Sequence, residues 1–134
     1  MPKTHINPKS LFPSVQLGFS QVVTSQGGKT VYISGQTAWD ADKHIVGGMN
    51  LGEQTRQALR NIQTAVEAAG GTLADVVSVR IYIVNYKRAD AGPVGEALRE
   101  FFSQDGPPAS TLIGVSSLAV EDFLIEIEAI AVID

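Results

Sequence analysis

The sequence contains no cysteine. That excludes disulfides, a thiol nucleophile and every thiolate metal site. It has no apolar run of about 18 residues or more, the length a membrane span requires. The opening Met1-Pro2-Lys3-Thr4-His5 has no apolar stretch and predicts no secretory leader. Basic residues are sparse: 10 Lys and Arg against 14 Asp and Glu give a formal charge of −4. Without a basic cluster the chain is poorly suited to nucleic acid, because phosphate binding draws on the density of Lys and Arg. Repeats, low-complexity tracts and linkers are absent as well. What remains is 134 residues, 44% hydrophobic and 18% charged, a globular balance. A chain of this length buries about two thirds of its unfolded surface. One domain over residues 1–134 is expected, soluble and cytoplasmic, with no membrane partner.

The common motifs of catalysis and ligand binding are missing too. Gly27-Gly28-Lys29-Thr30 looks like the tail of a phosphate loop, but Val23 stands where its first glycine belongs and a strand pattern follows it. Asp40 and Asp42 lack the glycine and distal glutamate of a calcium loop. His5 and His44 lie far apart in turn-like segments and are expected at the surface, with no metal and no cofactor. No G-x-S-x-G elbow exists, and Ser116-Ser117 has no histidine base nearby.

The patterning that is present predicts an order β-β-(β)-α-β-α-β-β. Residues 1–14, with Pro2, Pro8 and Pro13, read as an irregular arm. Val15–Ser25 reads as a strand with a possible bulge at Gly18, and Thr30–Ser34 as a second, the two forming a hairpin around Gly27-Gly28. Trp39–His44 is turn material, with a possible short strand at Ile45-Val46. Asn50–Ala69 is the clearest helix, with apolar residues at three- and four-residue spacings, Asn50 and Glu53 as a capping box, and Gly70-Gly71 as its end. Arg56, Arg60 and Glu67 read as its solvated side. Val76–Val84 is a strand with Val77, Val79, Ile81 and Ile83 on one face. A second helix is expected from about Pro93 to Phe102, and the last strands over 110–116 and 123–133.

Two amphipathic helices cover one face of such a sheet. In the last strand Phe123, Ile125, Ile127, Ala129, Ala131 and Ile133 share one face; Leu124, Glu126, Glu128, Ile130 and Val132 share the other. Both are largely apolar, so another subunit is expected to cover the second. Glu126 and Glu128 then lie near that interface. Two readings stand for them: pairing with Arg80 or backbone amides, or proton handling in an inter-subunit cleft.

Several segments together resemble one family. Ile33-Ser34-Gly35-Gln36, the helix at 50–71, Phe101-Phe102, Pro108-Ala109 and Ile125-Glu126-Ile127-Glu128-Ala129-Ile130-Ala131 are similar to the Rid proteins (reactive intermediate deaminases, also called endoribonuclease L-PSP-like), over about residues 15–134. The resemblance implies an α+β fold like the Bacillus-type chorismate mutase: a single mixed sheet with two helices on one face, assembled as a homotrimer with ligand clefts between subunits. It implies a small-molecule metabolite as partner. The activity it implies is hydrolysis of 2-imino acids, or their enamine tautomers, to 2-keto acids and ammonia. Active members carry an arginine after the P-A dipeptide, a fork suited to gripping a carboxylate.

Carried onto this chain, Glu126 matches the glutamate that handles water or a proton, and Ser34 the serine of S-G-Q. Phe19 stands where a cleft tyrosine is usual, Gly95 where an asparagine is frequent, and Leu112 at a thiol-bearing position. The arginine position is Ser110. The chain thus looks like an arginine-lacking branch. Ser110 and Thr111 either donate hydroxyls to a ligand or simply begin a strand. The expected function is metabolite binding between subunits with weak or altered deaminase chemistry centred on Glu126. A non-catalytic sensing or protein-interaction trimer is the rival, and the charge argues against an endoribonuclease.

Overall fold

A computed structural model describes residues 3–134. In chain order the elements are β1 (Thr4–Ile6), β2 (Val22–Thr24), β3 (Lys29–Gln36), α1 (Leu51–Ala68), β4 (Val76–Val84), α2 (Ala91–Phe101), β5 (Ala109–Val115) and β6 (Ile125–Ile133). β3, β6, β4 and β5 form a four-stranded mixed sheet in that spatial order. β6 is antiparallel to both its neighbours, and β4 runs parallel to β5 across the α2 crossover.

The local sequence explains where the helices begin and end. The Asn50 side chain accepts from the Glu53 amide at 2.9 Å and so satisfies a donor that a helix start leaves unpaired. The reciprocal arm of the expected capping box does not form: the Asn50 amide donates to the Gly47 carbonyl at 3.1 Å, and the Glu53 carboxylate accepts from Arg56 at 3.0 Å. α1 closes as foreseen: Gly70 is left-handed (φ 98°), and the Gly71 and Gly70 amides donate back to the Val66 and Glu67 carbonyls at 3.0 Å each. α2 begins at Ala91, two residues before Pro93, after a single 3-10 turn at Arg88–Asp90.

Both helices lie on one face of the sheet, and the core forms there. Leu59, Ile62 and Val66 of α1 and Val94, Ala97 and Leu98 of α2 pack on Val79, Ile81, Ile83, Ile125 and Ile127. Removing such aliphatic surface from water is the main stabilising term. One polar side chain is sealed inside. Gln54 is fully buried; its amide nitrogen donates to the carbonyls of Gly48 (2.7 Å) and Asp122 (2.9 Å), and its oxygen accepts from the Leu124 amide (2.9 Å). Two chain segments, the turn at Gly48 and residues 122–124, are thereby tied to the first turns of α1.

Several sequence expectations are corrected. The hairpin around Gly27-Gly28 does not form. β2 pairs with β1, His5 opposite Val23, while β3 pairs with β6. The first 14 residues are therefore not wholly irregular, since Thr4–Ile6 is a strand. Val15–Leu17 is a 3-10 turn closed by left-handed Gly18 rather than a bulged strand. Ile45 makes only an isolated bridge to Trp39. In β4 the pairing slips between Val76 and Ser78, so Val76 is buried and Val77 is only half-buried. His5 is not a free surface side chain: a Cβ at Gly106 would lie 2.7 Å from its ring, so the imidazole sits flat on that glycine. Arg56 is not merely solvated. Its guanidinium forks onto Glu100 of α2 with two 2.8 Å bonds, and this pairing holds the Glu100 carboxyl below the usual carboxylate range.

Candidate functional site

Alternation along β5 divides the expected site. The parallel pairing sets Val79 opposite Ser110, Arg80 opposite Thr111 and Ile81 opposite Leu112. Directly paired residues project to the same face of a sheet. Val79 and Ile81 are buried beneath the helices. Ser110 and Leu112 therefore project toward α2, and Thr111 projects away with Arg80. The two hydroxyls considered together in the sequence lie on opposite sides of the sheet.

On the helix side, Ser110 and Leu112 line a cavity of about 440 Å³ together with Leu17, Phe19, Gly95 and Leu98. The walls are mostly apolar. Ser110 and Arg99 supply the polar side chains of the lining, and no carboxylate belongs to it. Phe19 is fixed from both flanks. The Ser14 hydroxyl donates to the Phe19 carbonyl at 2.7 Å, and the Ser20 hydroxyl and amide donate to the carbonyls of Pro107 (2.5 Å) and Pro108 (3.0 Å). Proline carbonyls are free to accept where proline offers no N–H. The Phe12 ring stands edge-on to Phe19 at 6.1 Å. Phe19, Gly95, Ser110 and Leu112 thus share one cavity, and Arg99, which the sequence reading passed over, shares it with them.

Glu126 and Ser34 lie on the other face. β6 sets Glu126 opposite Tyr82 and Glu128 opposite Arg80. The Glu126 carboxyl rests on Gly35, where the β3–β6 register is irregular between Ile33 and Gln36. A Cβ at position 35 would lie 2.7 Å from the carboxyl carbon, so glycine there leaves the Glu126 carboxyl its place. Glu128, not Glu126, is the partner of Arg80, at a loose 3.9 Å. Glu128 also accepts from the Tyr82 hydroxyl. That bond, with burial, raises the phenol above its ordinary pKa, since ionising it would set two anions together.

One further cluster lies apart. Asp40, Asp42 and His44 each bring a potential ligand atom within 4.8 Å of the others. The Asp40 carboxylate, however, accepts the Asp42 and His44 amides at 2.9 Å each. Those amides account for its position as a turn, and the bond from His44 is the main cause of its lowered pKa.

A mixed sheet roofed on one face by two helices, with a half-open cavity under the second, places this chain among α+β proteins of the Rid architecture. A Rid-family protein from Yersinia pestis superposes with a TM-score of 0.95 at 41% identity, covering 99% of this chain and 100% of that one. A structure described as a putative endoribonuclease from Thermotoga maritima gives 0.71 at 32% identity, covering 96% and 92%. In sequence, a protein of Dermatophagoides farinae named 2-iminobutanoate/2-iminopropanoate deaminase is 35% identical, covering 87% of this chain and 86% of that one. The family model described as Endoribonuclease L-PSP matches residues 11–133, and the chain belongs to that family, the Rid family.

Proposed function

We propose that the chain assembles as a homotrimer and binds a small metabolite in clefts between subunits, with attenuated hydrolase chemistry on imine or enamine C–N bonds. One observation carries this reading: the family-matched side chains fall into two half-sites on opposite faces of one sheet. Phe19, Gly95, Ser110 and Leu112 line the cavity under α2. Glu126 and Ser34 stand on the uncovered face. A carboxylate and a cavity so separated act on one ligand when Glu126 of the partner subunit faces the cavity. The named deaminase relative supports the same chemistry.

In that cleft the steps are simple. Water adds to the imine carbon, the C–N bond breaks, ammonia leaves and a carbonyl forms. Glu126 accepts a proton from the attacking water and returns it to the departing nitrogen. Ser110 offers a neutral hydroxyl where active relatives are expected to present a cation, so orientation is weaker and turnover low. On this reading the chain represents an arginine-lacking branch of the family. Thr111, on the face of Glu126, is a contact of the subunit interface rather than of the cavity.

The test couples mass and activity. Light scattering is expected to give three times the chain mass. Freshly generated 2-iminopropanoate should yield ammonia slowly, and Glu126→Gln should abolish that yield. A stable single chain in solution would overturn the cleft. Loss of ligand affinity in Glu126→Gln, with no reaction in either protein, would favour a non-catalytic sensor, the reading that the neutral Ser110 supports.

A further inference from the structure

Position 110 lacks a cation, yet the cavity does not. Arg99 lies one helical turn beyond Gly95 on α2 and lines the same cavity. Its stem passes Gly18, where a built Cβ would sit 3.6 Å from Arg99 Cγ. Its guanidinium reaches over Gly95, where a Cβ would sit 3.2 Å from Nη1. A side chain at 95 would therefore crowd the guanidinium, and glycine there gives it room.

The charge of Arg99 is also unspent. Ion pairs among the described residues engage Lys3, His44, Arg56 and Arg80, but not Arg99. Glu100 beside it is taken by Arg56 through two 2.8 Å bonds. Arg80 of the same chain does not line the cavity, because it projects from the opposite face of β4. The cavity thus holds one cation, no carboxylate and walls of Leu17, Phe19, Leu98 and Leu112.

We propose that Arg99 is the anion-binding residue of this cavity, and that it holds the carboxylate of a small monocarboxylate whose aliphatic body lies on the apolar walls. The inference rests on the cleft reading above and names its substrate class. The planar guanidinium fork matches a carboxylate. The aliphatic body packs on Phe19, Leu98 and Leu112, and the Ser110 hydroxyl is left for the ligand's 2-oxo or 2-imino group. A guanidinium delivered from the helix, not from the strand, would hold the acid in a different orientation.

Calorimetric titration of 4-methyl-2-oxopentanoate and its neutral primary amide tests the assignment. The wild-type protein is expected to bind the acid more tightly than the amide. Arg99→Gln should weaken the acid roughly tenfold or more, the loss of one charge-assisted contact, and leave the amide unchanged. Arg99→Lys should recover part of the loss. Acid affinity in Arg99→Gln within about twofold of wild type would overturn the role of Arg99 and leave the cleft standing. So would dissociation of the assembly in Arg99→Gln with the acid still bound, since Arg99 would then serve the interface. If neither compound binds the wild-type protein, both the cleft and its anion site fall.

Discussion

The two faces of the sheet are built from the same strands and differ in what covers them. Under the helices, Ile81, Ile83, Ile125 and Ile127 are closed off from water and make the core. On the other face the alternate residues of those strands are Arg80, Tyr82, Glu126 and Glu128, and on β3 Tyr32 is left 79% exposed. The first face carries the main hydrophobic core of the chain. The second is therefore free to carry charge and aromatic surface, which makes it suited to a subunit interface and to proton chemistry. Within a single sheet, one face holds the fold together and the other is available for function.

That contrast can be broken by substitution. Ile127→Ala should cost about 2–5 kcal/mol of folding stability in urea titration, because a sealed methyl cluster becomes a cavity. Tyr32→Ala should change the folding of the chain by less than about 0.5 kcal/mol, and instead make the unfolding midpoint more dependent on protein concentration. Equal losses at the two positions would erase the distinction between the faces. Gly35→Ala is expected to cost about 1–3 kcal/mol, the usual penalty of overpacking, as the new methyl displaces the Glu126 carboxyl. The penalty should vanish in combination with Glu126→Gly, and its persistence would show that the backbone, not the carboxylate, requires glycine. The smallest effect belongs to the helix side. Because Arg56 depresses the Glu100 pKa in the folded state, the pair stabilises the chain above the ordinary value of 4.5. That contribution is lost as pH falls through the lower folded value. Glu100→Gln should lower the neutral plateau of a stability–pH curve slightly and flatten its acid limb, the two curves meeting below the folded pKa of Glu100.

Legibility from sequence followed the range of the interactions. α1, β4 and β6 repeat their apolar residues at the helical or strand period, and the core obeys that period almost residue for residue. The segment around Val22-Val23 misled because its partner lies at Thr4–Ile6, across the long connection of residues 7–21, which carries no hairpin signal. Gly27 and Gly28, both with positive φ, do bend the chain, but β3 pairs with β6, where a longer apolar ladder is available. Ser110 and Thr111 are adjacent in a strand, so alternation alone separates them, but which of the two faces the helices follows only once Val79 fixes the inward face of β5. Arg99 was passed over for a related reason. Its four-residue spacing from Gly95 is visible in the chain, but its meaning depends on β5 and Phe19 closing the space beside it. Nothing local announces that Gln54 gathers the nearby Gly48 carbonyl and two distant backbone groups, at Asp122 and Leu124.

The Gln54 latch bears on how such a sheet tolerates change in its connections. It grips Asp122 and Leu124 just ahead of β6, so the start of that strand is set from α1 and not by the path of the chain after β5. The stretch from Ser116 to Glu121 can then grow or shrink at the periphery while Glu126 keeps its position, and loop length there is decoupled from the geometry of the acid.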